Sequence, residues 1–92
     1  MFNPMVEKRV KITNILGLHA RSAAQVVKLA QPYEACVWFV KDGIRADGKS
    51  ILDLLTLAGT QDSEIVIVAE GKDEIPLFEG LVALVENKFG ED

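Results

Sequence analysis

Residues Phe78, Leu81, Val82, Val85 and Phe89 fall at i, i+3, i+4, i+7 and i+11, the spacing of a helix with a single apolar stripe. Such a helix gains its stability from whatever covers that stripe, so the chain must supply an apolar surface for it. Residues 20–30 make the same demand with smaller side chains. Ala20, Ala23, Val27 and Ala30 line one face, and Ala24 and Val26 widen it. Alanine is the strongest helix former, and its small side chain lets a helix lie close to a sheet. Pro32 ends this helix, because proline cannot continue the hydrogen-bond ladder. Pro76 is tolerable in a helix that starts at about Glu74, since it falls in the first turn.

The segments between these helices read as strands. In "MVEKRVKI", residues 5–12, Val6, Val10 and Ile12 share one parity and Glu7, Arg9 and Lys11 the other, with Lys8 as the exception. "TNILG" then carries a turn. "EACVWFVK" at 34–41 is β-branched and aromatic, and "KDG" turns it tightly into a short return strand, "IRA". "SEIVIVAEG" at 63–71 is a near-continuous apolar run, as a central strand requires. Between the last two strands, Ser50 can cap a short helix that buries Ile51, Leu54, Leu55 and Ala58 and ends at Gly59. The order is β-α-β-β-α-β-α. Helices with one apolar stripe need a sheet, and strands with one polar parity need water, so an α+β fold with an antiparallel sheet and all helices on one face satisfies both.

One strand complicates this arrangement. In 34–41 both parities are apolar: Cys36, Trp38 and Val40 against Ala35, Val37 and Phe39. If one face of the sheet is open, some of these side chains reach solvent. They are then either scattered surface apolarity or a contact patch for a partner or a second copy.

Ninety-two residues suffice for one domain with a thin core, read here as 1–92. A net charge of −4 makes nucleic acid or an anionic membrane a poor default partner. Cys36 is the only cysteine, which excludes an internal disulfide and a cysteine-based metal site. No run approaches the length of a membrane span, and the first residues, "MFNPMVEKRV", lack the apolar stretch of a signal peptide. The expected location is the cytoplasm.

The only histidine, His19, sits in "GLHARSAA", immediately before the first helix. A lone histidine at such a place is commonly just a surface residue. The chemistry of the position offers more. The first N–H groups of a helix lack internal acceptors and carry partial positive charge. With the guanidinium of Arg21 they form a shallow anion cradle. The same field favours a neutral imidazole with a free lone pair, which is nucleophilic. Nucleophile and cradle together point to reversible phosphorylation of His19. No second histidine and no neighbouring Asp or Glu stands ready in sequence to complete a triad or a metal site.

"GLHAR–AA", the element order, and "GKSILDLLTL" starting 31 residues after the first glycine of "GLHAR" resemble the histidine-containing phosphocarrier family, HPr, of the bacterial phosphotransferase system. The likeness covers roughly residues 5 to 90. It implies an open-faced β-sandwich, a four-stranded antiparallel sheet with three helices on one side. It implies that His19 accepts phosphate from enzyme I, charged by phosphoenolpyruvate, and passes it to IIA proteins in sugar uptake or a related regulatory branch. Arg21 then steadies the phosphoryl group, with Ala20 and Ser22 beside it, and no cofactor or metal takes part. Ser50 matches a regulatory serine modified by an ATP-dependent HPr kinase/phosphorylase, although a serine before an apolar run is also a routine cap, with Asp53 resembling the other half of a capping box. Leu18, Ile51 and Leu55 are the expected docking residues, in a monomer or weak dimer.

Two positions depart from the family pattern. Ser22 replaces the usual proline, predicting a slightly looser first turn and an extra donor for phosphate. Leu16 replaces the Asn or Ser found in several relatives, so the ring's orientation must come from elsewhere. Two alternatives remain: a purely regulatory HPr-like binding module controlled at Ser50, and an ordinary α+β interaction domain. Intact His19 and Arg21 favour the carrier.

Overall fold

The computed structural model describes residues 5–92. Strands β1 (Val6–Lys11), β2 (Cys36–Lys41), β3 (Ile44–Asp47) and β4 (Glu64–Glu70) alternate with helices α1 (Ala20–Ala30), α2 (Ile51–Leu55) and α3 (Glu74–Glu86), and a 3₁₀ turn, Lys88–Gly90, follows. The order and the antiparallel pairing are those read from the sequence. The sheet runs β1-β4-β2-β3, which places the two most apolar strands, β4 and β2, inside. Asp42 and Gly43, with φ of 51° and 79°, make the two-residue turn between β2 and β3, and φ is positive at both central positions as that hairpin requires.

The three helices cover one face and the other is open. The core lies between. Val37, Phe39, Ile65, Ile67 and Ala69 project into it from β2 and β4, and Val10 and Ala46 come from the edges. Facing them are Val26 and Ala30 of α1, Leu54 of α2, and Leu77, Leu81 and Val85 of α3, all fully buried. The doubly apolar strand is thereby resolved. Ala35, Val37 and Phe39 are core, whereas Trp38 and Val40 lie half-buried on the open face and Cys36 is exposed. There Arg45 stacks on Trp38, 4.4 Å from the ring centroid. Met5, Val40 and Val68 join them around a shallow depression of about 420 Å³.

The structure revises the helix faces. In α1 the buried residues are Ser22, Ala23, Val26 and Ala30, while Ala20 is exposed and Val27 half-buried. The stripe is rotated because its first turn buries a serine, for a reason given below. In α2 only Leu54 is buried, and Leu57 joins the core from the turn that follows. A helix of little more than one turn presents only Leu54 to the core, and Ile51, Leu55 and Ala58 stay exposed.

Ala58 takes the left-handed conformation expected of Gly59, with φ of 51°. Gly59 serves a close approach instead: a Cβ there would lie 3.0 Å from Ile12 and 3.2 Å from Leu18. Its carbonyl accepts the N–H of Leu18 at 2.7 Å. Gly17, at φ +67°, brings its backbone so near this carbonyl that a Cβ would overlap it. These two glycines fasten the loop before α1 to the exit of α2.

Helix α3 also ends earlier than its stripe. After Glu86 the chain turns through Lys88, Phe89 and Gly90 with φ of 56°, 54° and 76°. Phe89 is 2% exposed but reaches the core from this turn rather than from a helix. The turn sends the last two residues back towards the start of α1.

Candidate functional site

His19 is the cap of α1, with extended backbone at φ −118° and ψ −175°. Its N–H donates to Ser22 Oγ at 2.9 Å, and the Ser22 hydroxyl lies 3.1 Å from the Gly17 carbonyl and 3.2 Å from that of His19, which accept its proton. Ser22 is fully buried. The expected looser turn with a hydroxyl free for phosphate is therefore corrected. The hydroxyl is committed inward, and it ties the cap to the loop. A polar side chain buried with its hydrogen bonds made holds the turn firmly. It also sets the rotation of α1 noted above.

The imidazole is partly exposed and held at both nitrogens. The N–H of Arg21 donates to Nδ1 at 3.3 Å. Nε2 lies 2.9 Å from Oε1 of Glu91, which also accepts from Asn14 Nδ2 at 2.8 Å. Asn14 Nδ2 spends its other proton on the Gly17 carbonyl, also at 2.8 Å. An ionised carboxylate only accepts, so the Nε2 side carries the proton. Nδ1, accepting from Arg21, keeps its lone pair. The network thus assigns the Nε2–H tautomer. The hydrogen bond from His19, then that from Asn14, holds the Glu91 carboxyl below the usual carboxylate range, and the charge of Arg21 acts in the same direction.

Glu91 corrects the statement that no acidic group neighbours His19. It lies 72 positions away in sequence and arrives only through the turn after α3. No spacing rule could have found it. It also answers the question raised by Leu16, which is exposed and does not hold the ring. Orientation comes from the tail.

Arg21 is exposed at the start of α1, forms no ion pair among the described residues, and acts on the Glu91 that touches His19. The first turn of α1 contains no acidic residue. Ala20, next to His19, is also exposed.

Ser50 caps α2, its Oγ accepting the N–H of Asp53 at 3.2 Å. The capping box is half made. The Asp53 carboxylate takes the N–H of Asp47 at 3.0 Å instead of that of Ser50, which goes to the Asp47 carbonyl. Of the expected docking residues, Ile51 and Leu55 are each 38% exposed, but Leu18 is 7% exposed and belongs to the core. Its N–H is fixed to Gly59, and the side chain turns inward beneath the loop. Ile15, Leu16 and Leu52 are more exposed than any residue expected there. Ile15 and Leu16 lie in the turn before α1 and Leu52 on the exposed side of α2, where no core face calls for them.

Among the described residues no group of three or more His, Cys, Asp or Glu could hold a metal, and no helix is long and apolar enough to cross a membrane.

The family model described as "PTS HPr component phosphorylation site" matches residues 6–87. The chain belongs to the HPr phosphocarrier family. It is 38% identical over 88 residues to phosphocarrier protein HPr of Treponema pallidum (strain Nichols), covering 96% of this chain and 100% of that protein. It is 36% identical over 84 residues to the HPr-like protein Crh of Bacillus subtilis (strain 168), covering 91% and 99%. The crystal structure of HPr-C-His from Thermoanaerobacter tengcongensis superposes with a TM-score of 0.90 at 38% identity, covering 95% of this chain and 98% of that one. HPr proteins are phosphocarriers and not enzymes, and the family includes regulatory HPr-like members.

Proposed function

We propose that His19 takes a phosphoryl group from phospho-enzyme I and passes it to IIA proteins, in sugar uptake or a related regulatory branch in the cytoplasm. The observation that carries this reading is the lone pair of Nδ1, set at a helix start with no acidic residue in its first turn. In the transfer, Nδ1 attacks phosphorus, the P–N bond of the donor breaks, and its electron pair returns to the donor nitrogen. The Arg21 N–H, bound to Nδ1 at only 3.3 Å, is freed to donate to a phosphoryl oxygen. The guanidinium of Arg21 and the first N–H groups of α1, those of Ala20 and Ser22 among them, balance the added charge. Transfer onward reverses each step. Ile51 and Leu55 supply a small apolar contact, which suits partners that must separate quickly.

A regulatory binding module controlled by a kinase acting on Ser50 is the second reading. The similarity to Crh and the accessible cap of α2 favour it. One experiment separates the two. Incubation with phosphoenolpyruvate and enzyme I, followed by mass spectrometry, is expected to add one acid-labile phosphate to wild type and none to His19→Ala. An unlabelled wild type that is modified by an HPr kinase and ATP, with Ser50→Ala spared, would replace the first reading by the second.

A further inference from the structure

The tail beyond α3 is built as a hook. Lys88 and Phe89 adopt left-handed backbone at φ of 56° and 54°, which side chains other than glycine rarely take. The buried Phe89 anchors the bend, and the Asp92 carbonyl accepts the N–H of Ile15 at 2.7 Å. The residue held between these fastenings is Glu91. Its side chain is 15% exposed, and it places one oxygen on both His19 and Asn14. The Asn14 amide that grips it is fully buried. Among the described residues the carboxylate has two partners, and the imidazole is one of them.

We propose that Glu91 is a positioning residue for phosphoryl transfer at Nδ1 of His19. This rests on the carrier reading given above. The carboxylate holds the proton on Nε2 and so keeps the lone pair on Nδ1. Once the P–Nδ1 bond forms, the ring retains its Nε2 proton and becomes cationic, and the adjacent carboxylate compensates that charge. A protonated ring is the better leaving group. Glu91 therefore speeds both the loading and the release of phosphate. Among the described residues, the charged groups shown to act at the ring are Arg21 from α1 and Glu91 from the tail.

Phosphoramidate, a small donor that needs no partner protein, tests this on the full chain. Nδ1 displaces ammonia from phosphorus, so the labelling rate reports on the ring alone. Glu91→Gln is expected to label about fivefold more slowly, the weight of a charge-assisted hydrogen bond discounted for partial exposure. Glu91→Asp is expected to recover part of the rate. The pH profile for phosphate loss from the labelled protein moves to lower pH in Glu91→Gln. Nitrogen-15 spectra at about pH 8, above the ordinary imidazole range, are expected to show the proton on Nε2 in wild type and a mixture of tautomers in Glu91→Gln. Melting temperatures identify any variant that fails to fold, and the wild-type spectrum stands independently of them. A folded Glu91→Gln with wild-type rate and pH profile would overturn the assignment, as would a wild-type proton on Nδ1. Wild type labelled by phosphoramidate but not by phospho-enzyme I would remove the carrier reading and leave the role of Glu91 to be decided by the same rates.

Discussion

Helices α1 and α2 both begin on a polar cap, but their first turns are finished in opposite ways. At α1 the cap is His19, the reciprocal serine is buried, no acidic residue follows, and Arg21 adds positive charge. At α2 the cap is Ser50, its hydroxyl accepts one N–H, and Asp53 already places a carboxylate in the first turn. At α1 no carboxylate stands in the first turn and the nearest one, Glu91, reaches the cap's imidazole from the tail, while at α2 the field is largely answered by Asp53 within the helix itself. A phosphate on Ser50 would add charge beside Asp53. Two stretches that look alike as capping motifs thus differ in what they are prepared to receive.

That contrast is tested most strongly by removing its cation. Arg21→Ala is expected to slow phosphoryl transfer from phospho-enzyme I by about ten- to a hundredfold, the range for losing one preorganised charged donor. Measured at saturating enzyme I, a rate within twofold of wild type would show that the helix end alone makes the cradle. The caps themselves come next. Ser22→Ala strands the N–H of His19 in a buried turn and is expected to cost about 2 kcal/mol in urea unfolding. Ser50→Ala, at a more exposed end, should cost about 0.5–1 kcal/mol. Equal costs would erase the distinction between the two ends.

The smallest effect concerns acid. Hydrogen bonds from the backbone N–H groups of Glu34 and then Ala35 hold the Asp73 carboxyl below its ordinary range, as His19 and Asn14 hold that of Glu91. A carboxyl depressed in the folded state contributes stability that is present above its unfolded value and lost as pH falls through the folded one. The tail and the turn before β2 should therefore loosen only below about pH 4.5. Hydrogen exchange at the Ile15 amide, which the tail covers, is expected to quicken there before the β4 amides do. Simultaneous exchange would mean that the hook is not a separate element.

The fold was legible because its signals are local. Period-two alternation in β1, the apolar run of β4 and the "DG" turn each fix an element without reference to the rest of the chain. His19, Arg21 and Ser50 were legible for a similar reason, since a helix start is written in adjacent residues. What the sequence left hidden depends on how distant segments meet. Leu18 has the spacing of a surface residue beside His19, but Gly59 draws its loop inward and buries it. Ser22 reads as a donor to phosphate until the Gly17 carbonyl is seen to claim its hydroxyl. Glu91 is beyond any pattern, because the left-handed turn that returns it to the ring follows a helix whose apolar periodicity runs on through Phe89.

The central claim is that the lone pair of one particular nitrogen receives the phosphate. Phosphorus and nitrogen-15 spectra of the chain after incubation with phosphoenolpyruvate and enzyme I test it most directly. The account predicts a phosphorus–nitrogen bond at Nδ1 of His19 with the proton still on Nε2. A bond at Nε2, or phosphate found only on another residue, would contradict it.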